Sequence, residues 1–481
     1  MENPTPTDTP GETATVVTAA DVAFRFAYIL LATAAIGLTV AFVLNITEAP
    51  VWVFRQYNTM QWSVLAHLVA LVVFCLVLAG RMPRLFFNIV FAAILAAMYA
   101  SARVVPLGDH DLWIRAAAGN QLPGSEILAM ALYAAAQRAG IGLDYVPIAI
   151  GTVSGFLYLQ VCDHLLASGG NLSARRAKIL AGLLYLGSGV QLLFFRQYVE
   201  NTPPSIPFLL LYVFFAVSYL RGRRRGFDWN LSFSALALLL ACMTHGQNVF
   251  LTPSLAILIV LRRLLRKQYL ASLRDVGASV GLAAGVFAGI YYGLQALGFH
   301  ILQGNIRGGG DKIMFVPLHD VPSPWVDFTF FSVSHLLQLS NTIVLVCPVA
   351  AMALVLGLRS SLAGCRAGCH AHAGVSMSDL LSPDSNTWPR GGCHGHATHR
   401  EGLDEHLFLV ILGLGYLGFA CLWNFDLGFP GDYDLMTSMG ILLLPAATAA
   451  TVRSGRWPAG LALAAIGLPY AWGTIFLFLR P

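Results

Sequence analysis

The sequence predicts an all-α integral membrane protein, a bundle of about 13 transmembrane helices, and three observations predict it. Of its 481 residues 57% are hydrophobic and only 11% charged, with a mean hydropathy of +0.68, more apolar surface than so few charges can cover in water. Runs of roughly 18 to 25 apolar residues recur along the chain, each long enough to cross the hydrocarbon as a helix. Alternating segments of about 10 residues, the mark of a membrane β-barrel, are not seen. The composition excludes a soluble domain. The net charge of +5 does not argue for nucleic acid, because the basic residues sit in short clusters between the spans.

Residues 1–21 are polar, rich in Thr and Pro and poor in basic residues, which suits a disordered cytoplasmic tail. Candidate spans follow near residues 22–45, 58–80, 85–105, 144–167, 177–195, 204–220, 231–245, 249–261, 275–298 and 337–358, a transmembrane core over 22–358. Spans near 406–423, 435–452 and 457–478 form the C-terminal part, 406–481. Residues 231–261 are apolar enough for one long span. Splitting them at Thr244-His245-Gly246-Gln247-Asn248 keeps the basic cluster at 262–267 on the same side as those at 81–84, 175–178, 221–225 and 453–456. By the positive-inside rule that side, with the N-terminus, is the cytoplasm. Only Lys178, Lys267 and Lys312 stand against 26 arginines, a bias of GC-rich bacterial genomes, so the expected location is a bacterial inner membrane with many passes.

This topology sends most of the concentrated polar chemistry to the other, extracytoplasmic face. In Gly108-Asp109-His110-Asp111 the glycine breaks the preceding helix, and residues two apart in an extended loop project to one side. Asp109 and Asp111 would then converge on one substrate hydroxyl or one divalent cation, although a solvated helix end reads the same way. The outer loop 106–143 continues with two short helices along the membrane surface, separated by a turn at Leu122-Pro123-Gly124, with Ser125 as the second N-cap and Glu126 at its positive dipole end.

Arg196 and Glu200 stand one helical turn apart at the outer end of a span, where a glutamate opposes the helix dipole unless it binds something or pairs with the arginine. His245 lies at the break between two short spans, a place for a cavity-lining group or a satisfied core histidine. The loop 300–334 offers Arg307 and Lys312 among glycines, positive charge fit for a phosphate, with His335 just beyond. Gly431-Asp432-Tyr433-Asp434 repeats the paired-acid spacing before a later span.

The order of these motifs, from GDHD through FRQYVEN, THGQN and FTFFSVSHLLQLSNTIVLVCP to FDLGFPGDYDL, resembles bacterial polytopic proteins related to the GT-C glycosyltransferases, over roughly residues 22–478. The resemblance implies a GT-C-like bundle. It also implies transfer of a sugar from a polyprenyl-phosphate donor to a glycan, lipid or protein acceptor of the cell envelope. Asp109 or Asp111 would take the acceptor proton, and arginine or histidine from later loops would stabilise the departing lipid phosphate. Arg196, Glu200, His245, Arg307, Lys312, His335, Asp432 and Asp434 are the candidate substrate-binding residues. Two spans precede the one leading into GDHD, whereas the simplest pattern of the family has one.

Residues 359–405 stand apart as a cytoplasmic insert. Cys365, Cys369, His370, His372, Cys393, His394, His396 and His399 supply thiolates and imidazoles suited to zinc or copper(I), in a segment whose bias towards Gly, Ser and Pro equally fits disorder. A metal-handling protein built on this insert, a transporter or flippase, and an oligosaccharide polymerase or ligase are the rival classes. Cys75, Cys162, Cys242, Cys347 and Cys421 lie in or near apolar spans and read as packing residues.

Overall fold

The computed structural model describes residues 61–79, 81–101, 114–116, 118–119, 121–124, 126–166, 174–187, 202–222, 227–264, 267–302, 316, 318, 329–337, 339, 394–422, 438, 440–445 and 448. Within them the chain is mostly helical. The helices are α1 (Gln61–Leu78), α2 (Arg84–Ser101), α3 (Ile127–Arg138), α4 (Tyr145–Leu166), α5 (Ala174–Gly187), α6 (Ser205–Arg221), α7 (Trp229–Thr244), α8 (Thr252–Ile259), α9 (Tyr269–Ala296) and α10 (His394–Leu422). A 3-10 helix, Gly246–Leu251, precedes α8, and a π-helical turn, Val260–Leu264, follows it. Four stretches among the described residues are long and apolar enough to cross a membrane, namely α2, α4, residues Gly246–Leu264 and α9. That fits membrane association.

Neighbouring helices run α1, α2, α4, α6, α7, α9, with α5 against α1 and α4, and α10 against α8 and α6. A continuous cluster of buried apolar side chains fills most of the space between them. Phe74 of α1 stacks on Phe87 of α2 with ring centroids 4.8 Å apart, and Tyr158 of α4 lies 4.8 Å from Tyr185 of α5. Close approach of α5 to α1 depends on Gly182, where a Cβ would stand 2.6 Å from Cys75 Sγ. Cys75 and Cys162 are buried free thiols and Cys242 and Cys421 are half-buried ones, as packing residues should be.

Helix α9 is the least enclosed of the long helices. Its buried residues are Ser272, Asp275 and Ser279, on the side of α7, where Ser279 and Ser232 lie 3.2 Å apart through their hydroxyls. Gly277, Gly281, Gly285, Gly289 and Gly293 recur every four residues along it with open space around each.

Three features depart from the sequence expectation. Gln121–Pro123 is not a turn but a short strand, β1, pairing in parallel with β2 (His300–Leu302) in the register Gln121↔His300, so the bundle carries a two-stranded sheet. The second loop helix begins after Glu126, the N-cap residue, whose side chain makes no cap hydrogen bond; Ser125 lies outside the described residues. Finally, α10 starts at His394, twelve residues before the apolar span at 406–423, so the end of segment 359–405 continues into that helix.

The split of residues 231–261 holds. Helix α7 ends at Thr244, and the returning stretch brings Arg262 back to Asp228, the N-cap of α7. Two antiparallel elements therefore replace one long span.

Candidate functional site

One end of the bundle collects the basic clusters. Arg175 donates to Leu76 O and Lys178 to Met82 O, which places the clusters at 175–178 and 81–84 together. Asn88, in the first turns of α2, donates to Asp163 near the end of α4. Arg221 Nε and Nη2 grip both carboxylate oxygens of Glu405 at 2.5 and 3.1 Å, and its guanidinium also donates to the backbone oxygens of His164 and Leu165. A bidentate pair of this kind fixes orientation as well as contact.

Beside it the π-helical turn aims two consecutive arginines inward. Arg262 Nη1 lies 2.6 Å from Asp228 Oδ2, and the same carboxylate, through Oδ1, accepts the Asn230 N–H in capping α7. Arg263 reaches Asp275 Oδ2 of α9 at 2.7 Å through Nη2, and Gln268 Oε1 at 2.8 Å. The Arg262 guanidinium lies 4.2 Å over the Tyr219 ring. Both arginines are almost wholly buried, so each needs its acid: stripping one partner from such a pair costs about 3 to 5 kcal/mol. These groups answer one another, and they read as the locks between α6, α7, α9 and α10.

The opposite end holds the broken helix. His245 leaves the helical conformation at φ −156° and ψ 123° while its N–H still donates to Ala241 O. Its Nδ1 accepts the Gln247 N–H at 3.2 Å, capping the 3-10 helix and leaving the ring proton on Nε2. Asn248 is fully engaged: Nδ2 donates to Ala241 O at 2.9 Å and to His245 O at 3.1 Å, and Oδ1 accepts the Tyr416 hydroxyl at 2.7 Å. The turn is thereby pinned to α10, where Gly415 lets the backbone of Phe250 approach.

Gln247 differs. It is 4% exposed, and neither its Oε1 nor its Nε2 has a hydrogen-bond partner. A buried amide left unsatisfied costs about 1 to 3 kcal/mol, and a structure that keeps one has a use for it or another partner at hand.

Around this turn the end is capped by non-spanning pieces. Helix α3 packs on α7 and on β1, and Arg138 at its end donates to Leu297 O, with its guanidinium 4.0 Å from the Phe299 ring centroid. An open apolar groove of about 430 Å³ runs between α3 and α4, lined among others by Leu132, Ala135, Ala139, Ile141 and Tyr145. Val316 N donates to Leu422 O at the end of α10.

Of the candidate catalytic and substrate-binding residues, the structure describes two. His245 sits in the turn just built. His335 is buried, and its Nδ1 is 2.8 Å from Phe330 O, so the ring is held within its own loop. Asp109, Asp111, Arg196, Glu200, Arg307, Lys312, Asp432 and Asp434 lie outside the described residues, as do Cys365, Cys369, His370, His372 and Cys393. His394, His396 and His399 fall in the first turns of α10. Among the described residues no group of three or more His, Cys, Asp or Glu is placed to hold a metal ion.

Sequence reasoning missed the roles of Asp228, Asp275 and Glu405 as partners of the arginines, and that of Gln247. An acid directly before an apolar helix, as in Asp228-Trp229, is a legible N-cap signal. The orphaned amide has no sequence signature. No protein-family model matches the chain, no curated protein matches it, and no solved structure matches it.

Proposed function

We propose that this chain is a membrane glycosyltransferase of GT-C type, moving a sugar from a polyprenyl-phosphate donor to a cell-envelope acceptor on the face opposite the basic clusters. The observation that carries the reading is the division of the bundle. The described basic clusters gather at one end, where Arg221, Arg262 and Arg263 are held in ion pairs, and the broken helix with its unsatisfied amide lies at the other. The motif resemblance supplies the chemistry, and the apolar groove beside α3 suits a hydrocarbon chain.

In the proposed reaction the acceptor hydroxyl attacks the anomeric carbon and the bond from that carbon to the phosphate oxygen breaks. The hydroxyl proton passes to Asp109 or Asp111, and the bonding electrons leave with the lipid phosphate. General-base assistance of this kind contributes roughly 10² to 10⁴-fold. Cationic donors such as Arg307 and Lys312 would hold the growing phosphate charge. The expected location is a bacterial inner membrane with the basic clusters cytoplasmic.

The test is sugar transfer by the purified chain in lipid, from radiolabelled polyprenyl-phosphate sugars to membrane extracts, with Asp109→Asn and Asp111→Asn beside the parent. Transfer that disappears in one variant while donor binding persists supports the reading. If no donor is consumed and a lipid or solute crosses the bilayer instead, the broken helix belongs to a transporter.

A further inference from the structure

Gln247 is 96% buried by its 4% exposure, and its carboxamide has neither a protein partner nor contact with water. Its surroundings are rigid: Asn248 and Tyr416 fix the 3-10 helix, and His245 Nδ1 holds the Gln247 backbone. The backbone that carries the amide is therefore held in place before any ligand arrives, a property of built binding sites. We infer that the Gln247 carboxamide and the His245 Nε2–H form the hydrogen-bonding wall of a site for an uncharged, hydroxyl-rich ligand, the sugar of the substrate.

The donor and acceptor pattern selects that chemistry. A carboxamide brings two N–H donors and one carbonyl acceptor, and the imidazole adds a donor. A phosphate would set its oxyanion against the amide oxygen, and a cation would meet three hydrogens. Sugar hydroxyls both donate and accept, and satisfy every atom of the set.

Both amide atoms are closed off in this state, so a ligand reaches them only when the side chains packed over the turn move aside. The identity of the ligand rests on the transferase reading; the existence of a hydroxyl-binding site does not.

The experiment uses the full chain in lipid nanodiscs with farnesyl-phosphoryl hexoses and pentoses, farnesyl phosphate alone, and methyl hexosides as probes. Thermal unfolding and calorimetric titration are read for the parent, Gln247→Met and Gln247→Glu, with sugar transfer measured alongside. Gln247→Met removes the orphaned amide at nearly constant shape, so its unliganded unfolding midpoint should rise. Its affinity for at least one glycosylated probe should fall about tenfold, the scale of a lost hydrogen-bonding group, with farnesyl phosphate binding unchanged. Gln247→Glu, which keeps the acceptor and loses the donors, should lose sugar affinity to a similar degree.

Unchanged sugar affinity in both variants overturns the inference, as does a parent that binds no sugar probe. A lowered midpoint in unliganded Gln247→Met also overturns it, because the amide is then satisfied by resident water. Transfer that survives in such variants leaves the transferase reading standing. Methyl hexosides that bind through Gln247 without any transfer do the reverse.

Discussion

The two ends of the bundle differ in what their buried polar groups are: ion pairs at one, a whole unpartnered amide at the other. At the basic end Arg262 meets Asp228, Arg263 meets Asp275 and Arg221 meets Glu405, so that each of these arginines has its acid, with single oxygens of Asp275 and Asn88 left without a partner. At the other end the Asn248 side chain is fully engaged, while the side chain of the preceding residue, Gln247, has no partner. One end is closed as architecture; the other holds a hydrogen-bonding group in reserve.

The sharpest way to break the comparison is at the arginines. Arg263→Ala should cost about 3 to 5 kcal/mol, seen as loss of folded protein in detergent, because Asp275 would remain buried without its cation. The double replacement Arg263→Met with Asp275→Leu should recover most of that loss in the same assay. Next in size is Asn248→Ala, expected at about 1 to 3 kcal/mol in thermal unfolding. A double-mutant cycle with Tyr416→Phe should isolate a coupling of about 1 kcal/mol for their shared bond.

Gly415→Ala would place a Cβ 2.6 Å from Phe250 O, and overpacking of that kind costs about 1 to 3 kcal/mol. If the site depends on this seam, Gly415→Ala also weakens sugar binding. The smallest effect belongs to Arg175→Ala, an exposed residue with one long bond to Leu76 O, which should stay within about 0.5 kcal/mol of the parent.

Much of the fold was legible because hydropathy and arginine placement are properties of the chain itself. The break at His245 was found by asking where the cluster 262–267 had to lie, and Arg262 beside Asp228 answers it. The strand pair was not legible: three residues at 121–123 carry no alternation strong enough to outweigh the turn signal of Pro123-Gly124. The π-helical turn was equally hidden, since its two inward arginines look like any basic cluster on a membrane surface.

At the site the sequence pointed to His245, and the structure adds that its ring orients the neighbouring residue. Gln247 was placed in the break but given no role, because an amide in a polar motif is unremarkable until its surroundings are known. The candidate acids and residues 359–393 of the insert lie outside the described residues, so their reading rests on the sequence.

The strand pair also bears on how the molecule is assembled. Gln121 pairs with His300 across about 180 residues, with α3 to α9 between them. A chain that emerges and inserts from its N-terminus can close Arg262 onto Asp228 within one hairpin of helices. It cannot form the sheet until α9 has been delivered. The Arg262–Asp228 lock can therefore close early, the strand pair only after α9, and the Arg221–Glu405 pair at the basic end later still. A nascent chain stopped after Ala296 should already protect the α7–α9 seam, where Arg262 and Arg263 have their acids, from proteolysis, while the strand pair and the Arg221 lock are still open.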